Sequence, residues 1–179
     1  MQSPLTLSQL DKKANDVRQD IIRMLEHAGS GHSAGPLGLS DIVTALYFNI
    51  MKINPEEPEW DERDMFFLSK GHCIPVQYAV MAERGYFPVS ELKTLRKFGS
   101  RLQGHPERTK LPGMENTSGP LGSGLSQAAG YAYTMQYIDG IKNRFVYTIT
   151  GDGELDEGNI WEAAMFAGKY KLGQLIVFI

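Results

Sequence analysis

Leu10, Ala14, Val17, Ile21, Leu25 and Ala28 recur at helical spacing and predict an amphipathic helix that ends at Gly29. Ser8, with Asp11 three positions later, reads as its N-cap in a weak capping box. Ser40 and Asp41 predict the start of a second helix through Val43, Leu46, Tyr47 and Ile50. Three short apolar runs, 65–68, 145–149 and 175–179, have the length and the β-branched and aromatic content of buried strands. Between them, helical patterning predicts a segment through Tyr78 and Met81 to about Gly85, a segment from Glu91 to Phe98 capped by Ser90, and helices over 125–137 and 157–170. Strands that alternate with helices predict an α/β fold, a mostly parallel sheet with helices on both faces.

The connections are uneven. Residues 54–64 carry two prolines and many acids and read as a surface link, while 29–36 and 119–124 are too glycine-rich for regular structure. The stretch 99–119 is long and irregular, a length that in a compact domain goes with function or disorder. The final run, Leu175 to Ile179, reads as a strand buried on both faces with no polar tail, so the expectation is that residues 1–179 are one domain, incomplete at its C-terminus.

Composition narrows the partners. The chain has 179 residues, 42% of them hydrophobic, and a formal charge of −3, ordinary values for a globular domain with a real core. Without a basic excess, nucleic acid is not an expected partner. No apolar run is long enough to span a bilayer, and MQSPLTLSQL lacks the basic flank and apolar core of a signal peptide, so the expected location is the cytoplasm. Cys73 is the only cysteine, which excludes an internal disulfide and a thiolate zinc cluster; it reads as a small core side chain.

Candidate chemistry lies in four glycine-bearing loops, three with a histidine and one with Asp152. Phe145 to Ile149 runs straight into Gly151-Asp152-Gly153. A carboxylate at the carboxyl end of a strand, beside free N–H groups at a helix start, suits a Mg²⁺ ion bridging to phosphate oxygens. The same tripeptide is also a common tight turn. His32 stands between Gly31 and Ser33, as a polar loop residue or a catalytic one. His72 follows Gly71 after a strand, either as a ligand donor or as a buried, hydrogen-bonded imidazole. His105 is fixed in extended backbone by Pro106. His27, at a helix C-terminus, carries no expected chemistry. The 119–124 entry lacks the lysine and hydroxyl of a P-loop and suits backbone bonds to phosphate or to a flat heterocycle. Glu154, Asp156, Glu157 and Glu162 read as acids on a solvated helix start.

Together, Ser30-Gly31-His32, Leu68-Ser69-Lys70-Gly71-His72, Gly104-His105-Pro106-Glu107, Gly119-Pro120-Leu121-Gly122 and Gly151-Asp152-Gly153-Glu154-Leu155-Asp156-Glu157-Gly158 resemble the motifs of transketolase, in the family's order and over nearly the whole chain. The resemblance is to the N-terminal, diphosphate-binding domain, and the short chain is similar to that subunit of split transketolases. It implies the thiamine diphosphate-binding fold and the transfer of a two-carbon ketol unit from a ketose phosphate to an aldose phosphate, with thiamine diphosphate and Mg²⁺ as cofactors. It implies that Asp152 binds Mg²⁺, that Gly151, Gly153 and His72 contact the diphosphate, and that Gly119 and Leu121 touch the heterocycle. It also implies that His32 and His105 face the substrate and assist proton transfer, and that Glu157 and Glu162 join a carboxylate network at a subunit interface.

Two departures stand beside it. Ser33-Ala34 replaces the proline and glycine common after His32, and the family completes its Mg²⁺ site beyond Ile179, so the metal is expected to bind more weakly here. The implied partner is a C-terminal, pyrimidine-binding subunit or section in a homo- or hetero-oligomer. The alternatives are another thiamine diphosphate enzyme, of the dihydroxyacetone or deoxyxylulose-phosphate synthase type, a non-catalytic assembly module that kept the fold, and a Mg²⁺-dependent phosphotransferase using Asp152.

Overall fold

A computed structural model describes residues 4–179; residues 1–3 of the opening MQSPLTLSQL stretch lie outside the described residues. Three parallel strands, β1 (Met65–Leu68), β2 (Val146–Ile149) and β3 (Leu175–Phe178), pair in the order β1-β2-β3. Among the described residues five α-helices accompany them: α1 (Leu7–Ala28), α2 (Ala34–Ala45), α3 (Ile74–Arg84), α4 (Ser123–Tyr133) and α5 (Gly158–Lys169).

Strand alternation sorts the side chains into two cores. Phe66, Leu68, Tyr147 and Ile149 pack with Val17, Ile21, Val43 and Tyr78 from α1, α2 and α3. Met65, Phe67 and Val146 pack on the other face with Ala128, Ala129 and Ala132 of α4. The expected parallel sheet with helices on both faces is therefore present.

Boundaries differ from the sequence expectations in informative places. Thr6, not Ser8, caps α1: its side chain accepts from Gln9 N–H while the Gln9 side-chain Oε1 accepts from Thr6 N–H, a full capping box. The second helix begins at Ala34, six residues before Ser40. Pro36 is tolerated in its first turn, and Ser40 Oγ donates back to the Pro36 carbonyl at 3.1 Å. It then widens into a π turn over Leu46–Ile50. The segment after Ser90 is only a 3₁₀ turn, Val89–Thr94, with no side-chain cap, and the chain leaves it through Arg96 at a φ of 59°. β3 is not buried on both faces: it is half-buried along the sheet edge, with Val177 40% exposed.

The pairing register places the carboxyl ends of the strands level, Leu68 beside Ile149 and Ile149 beside Phe178. The turns after β1 and β2 therefore emerge side by side. The long 99–119 segment is ordered against this edge. Ser118 Oγ donates to the Leu68 carbonyl at 2.9 Å there, while at the opposite end of β1 Glu115 holds Arg63 through two bonds of 2.9 and 3.1 Å. α4 closes on the same edge because Gly124 has no side chain: a Cβ there would stand 2.3 Å from Ser69 Cα. Gly124→Ala is expected to lower stability by about 1–3 kcal/mol, since backbone must move to admit the methyl group; urea unfolding measures it.

Candidate active site

All five loop motifs meet at this sheet edge. A cavity of about 220 Å³ is lined by Gly35, Lys70, His72, Cys73, Leu121 and 151–154. His32 reaches it from the α1–α2 loop, its ring centroid 5.0 Å from that of His72. His105 packs beside Gly71 and Gly119: a Cβ at those glycines would lie 3.0 and 4.0 Å from His105 Cδ2. Asp152, at the end of β2, is exposed on the rim, and Gly153 next to it is open, with nothing within 4 Å of a notional Cβ. The N–H groups of Asp152 and Gly153 begin a 3₁₀ turn (Asp152–Asp156) and have no carbonyl within that turn to bond.

The imidazoles of His72 and His105 are tuned toward neutrality. Burial lowers His72 below the usual histidine value, charge on His32 and His105 adds to the lowering, and Glu154 opposes it. Burial also lowers His105, helped by the Arg96 guanidinium and by His32. In the unfolded chain both return to about 6.5. Their contribution to stability is therefore complete above that pH and is lost as pH falls through the folded values. An NMR titration is expected to give His72 and His105 ring pKa values below 6.5, both rising in His32→Ala, which removes a neighbouring positive charge. Cys73 stays a thiol, its pKa pushed up to about 11 mainly by burial.

Of the residues singled out from the sequence, His32, His72, His105, Gly119, Leu121, Gly151, Asp152 and Gly153 come together. Glu157 and Glu162 do not line the cavity; both are exposed, one at the start of α5 and one a turn further on. Glu154 corrects the expectation of a solvated acid. It is 2% exposed, and its carboxylate accepts from Ser69 Oγ at 2.8 Å, Gly122 N–H at 2.6 Å and Gly151 N–H at 2.7 Å. Arg96 was also not legible as a site neighbour: its Nη1 donates to Ser30 Oγ at 3.4 Å, and its guanidinium packs where Gly104 lacks a side chain. Lys70 adds a cation to the cavity wall.

Among the described residues no three His, Cys, Asp or Glu side chains form a metal cage. One rim carboxylate beside open backbone N–H groups fits Mg²⁺ held partly by phosphate oxygens, since that ion is commonly bound through one or two carboxylates plus the phosphates it accompanies. No helix among the described residues is long and apolar enough to cross a membrane.

Glycine turns, a carboxylate and imidazoles gather at the carboxyl edge of a parallel sheet, the edge at which open α/β proteins as a class bind their ligands. Residues 10–179 match the family described as "Transketolase, thiamine diphosphate binding domain", and the chain belongs to that family. It is 46% identical over 169 residues to the 6-deoxy-6-sulfo-D-fructose transketolase subunit SqwG of Clostridium sp. (strain MSTE9), covering 94% of this chain and 61% of that one. It is 42% identical over 173 residues to the transketolase of Homo sapiens, covering 97% of this chain and 27% of that one. The solved structure of transketolase from Leishmania mexicana superposes with a TM-score of 0.89 at 35% identity, covering 98% of this chain and 27% of that one. The chain thus spans between 27% and 61% of the length of these relatives.

Proposed function

We propose that residues 1–179 form the diphosphate-binding domain of a transketolase, which moves a two-carbon ketol unit from a ketose to an aldose once a pyrimidine-binding partner completes the site. The observation that carries this is the convergence of His32, His72, His105, Leu121 and Asp152 on one cleft. Asp152 would hold Mg²⁺, with the Gly153 N–H, His72 and Lys70 directed to the diphosphate. Backbone groups of Gly119 and Leu121 would align the heterocycle. Thiamine diphosphate, when bound, supplies the chemistry that breaks and forms the carbon–carbon bond. The chain's own work is to position, to exclude water and to move protons.

His32 and His105 would exchange protons with substrate hydroxyls through their ring nitrogens. Glu157 and Glu162, exposed on α5, are available to a partner's carboxylate rather than to the cleft. The name of the Clostridium relative gives a sulfonated ketose as its substrate. The donor proposed here is accordingly a ketose with an anionic terminus, phosphate or sulfonate.

The test is reconstitution: this chain, Mg²⁺, thiamine diphosphate and a pyrimidine-binding transketolase half, assayed with ketose phosphate or sulfonated ketose and an aldose phosphate. Ketol transfer that needs both polypeptides supports the proposal. Cofactor binding with no transfer to any aldose acceptor favours the non-catalytic module, and transfer of another unit favours a different thiamine diphosphate enzyme. The proposed compartment is the cytoplasm and the proposed setting is sugar phosphate interconversion of the pentose phosphate type.

A further inference from the structure

Glu154 brings together three loops that are far apart in sequence. Its three donors lie 85, 32 and 3 positions away. Each donor adjoins a residue placed in the cleft: Ser69 precedes Lys70, Gly122 follows Leu121, and Gly151 precedes Asp152. Two of the donors are backbone N–H groups at the starts of helical segments, which have no intrahelical partner of their own. Space is reserved for the arrangement. Gly122 holds a φ of +82°, and Gly124 lets α4 close onto Ser69. A carboxylate is the side chain that accepts on both oxygens. It accepts from Gly122 and Ser69 on Oε1 and from Gly151 on Oε2.

We propose that Glu154 is a positioning residue: its buried carboxylate fixes the turns after β1 and β2 and the entry to α4 relative to one another, so that the diphosphate contacts and the heterocycle contacts are in register. The proposal rests on the cofactor reading of the cleft, and its structural half is measurable without cofactor.

Glutamine has the right shape and the wrong donors. Whichever way its amide turns, the NH₂ group faces the Gly122 N–H or the Gly151 N–H. The decisive experiment compares the full chain, Glu154→Gln, and Asp156→Asn as a control in the same turn. Amide hydrogen exchange is read without cofactor, and thiamine diphosphate affinity is read by titration in saturating Mg²⁺. In Glu154→Gln the Gly122 and Gly151 amides are expected to exchange at least about 10-fold faster while Phe67 and Thr148 in the strands are unchanged, and the Kd is expected to rise about 10- to 100-fold. Asp156→Asn is expected to match the wild type.

Unchanged protection at 122 and 151, or an unchanged Kd, overturns the proposal; so does faster exchange spread equally over the strands, which marks a purely global stability role. If Glu154→Gln does not fold, Ser69→Ala decides: it removes one donor and is expected to raise the Kd about 3- to 10-fold with faster exchange confined to the same turns. Should the wild type bind no thiamine diphosphate while the exchange contrast holds, the cofactor reading fails and the loop-fixing role stands.

Discussion

Asp152→Asn is expected to abolish Mg²⁺-dependent retention of thiamine diphosphate while leaving the fold intact. Asparagine keeps the shape but replaces a charged carboxylate oxygen with a neutral amide oxygen, which attracts a hard divalent cation less strongly. Losing only a partner of a metal ligand already costs about 10- to 100-fold in affinity. Losing the single rim carboxylate is therefore expected to cost at least about 100-fold, since the remaining ligands are phosphate oxygens and water. Asp152 is exposed, so the variant is expected to melt with the wild type. Calorimetric titration with thiamine diphosphate, in Mg²⁺ and in EDTA, separates the two effects: the wild type responds to the metal and the variant does not.

His105→Ala is expected to lower kcat of the reconstituted enzyme by about 10²- to 10⁴-fold, the range for loss of one positioned acid–base group. Its ring stands against Gly71 and Gly119. Cofactor affinity is therefore expected to stay within about 3-fold, because no charge-assisted bond to the diphosphate is removed. Steady-state kinetics across pH, with a parallel cofactor titration, checks both halves. A loss of affinity as large as the loss of kcat contradicts the assignment.

The turns after β1 and β2 were legible because each follows directly on a strand end, and the paired strands deliver both to one edge. A strand running into Gly-Asp-Gly needs no long-range information to be read as a ligand turn. Glu154 needed exactly that kind of information. In sequence it is one acid among four at a helix start, a pattern normally solvated, and its burial depends on Ser69 and Gly122 arriving from elsewhere. The start of α2 was hidden by composition, since Gly35 and Pro36 read as a loop although proline is permitted in a first helical turn. The β3 run showed that an unbroken apolar stretch does not fix how much of it is covered, for it lies on the sheet edge and is only half-buried. The helix expected over 91–98 failed because Arg96 and Gly99 take positive φ values there.

The most direct test is an amide NMR titration of the chain with thiamine diphosphate and Mg²⁺. The expected result is a set of saturable shifts confined to residues 30–35, 69–73, 104–105, 119–122 and 151–154, lost when Mg²⁺ is chelated. Shifts that cluster on any other surface, or that spare the 151–154 turn while moving the rest, contradict a single cleft that grips a metal-bound diphosphate.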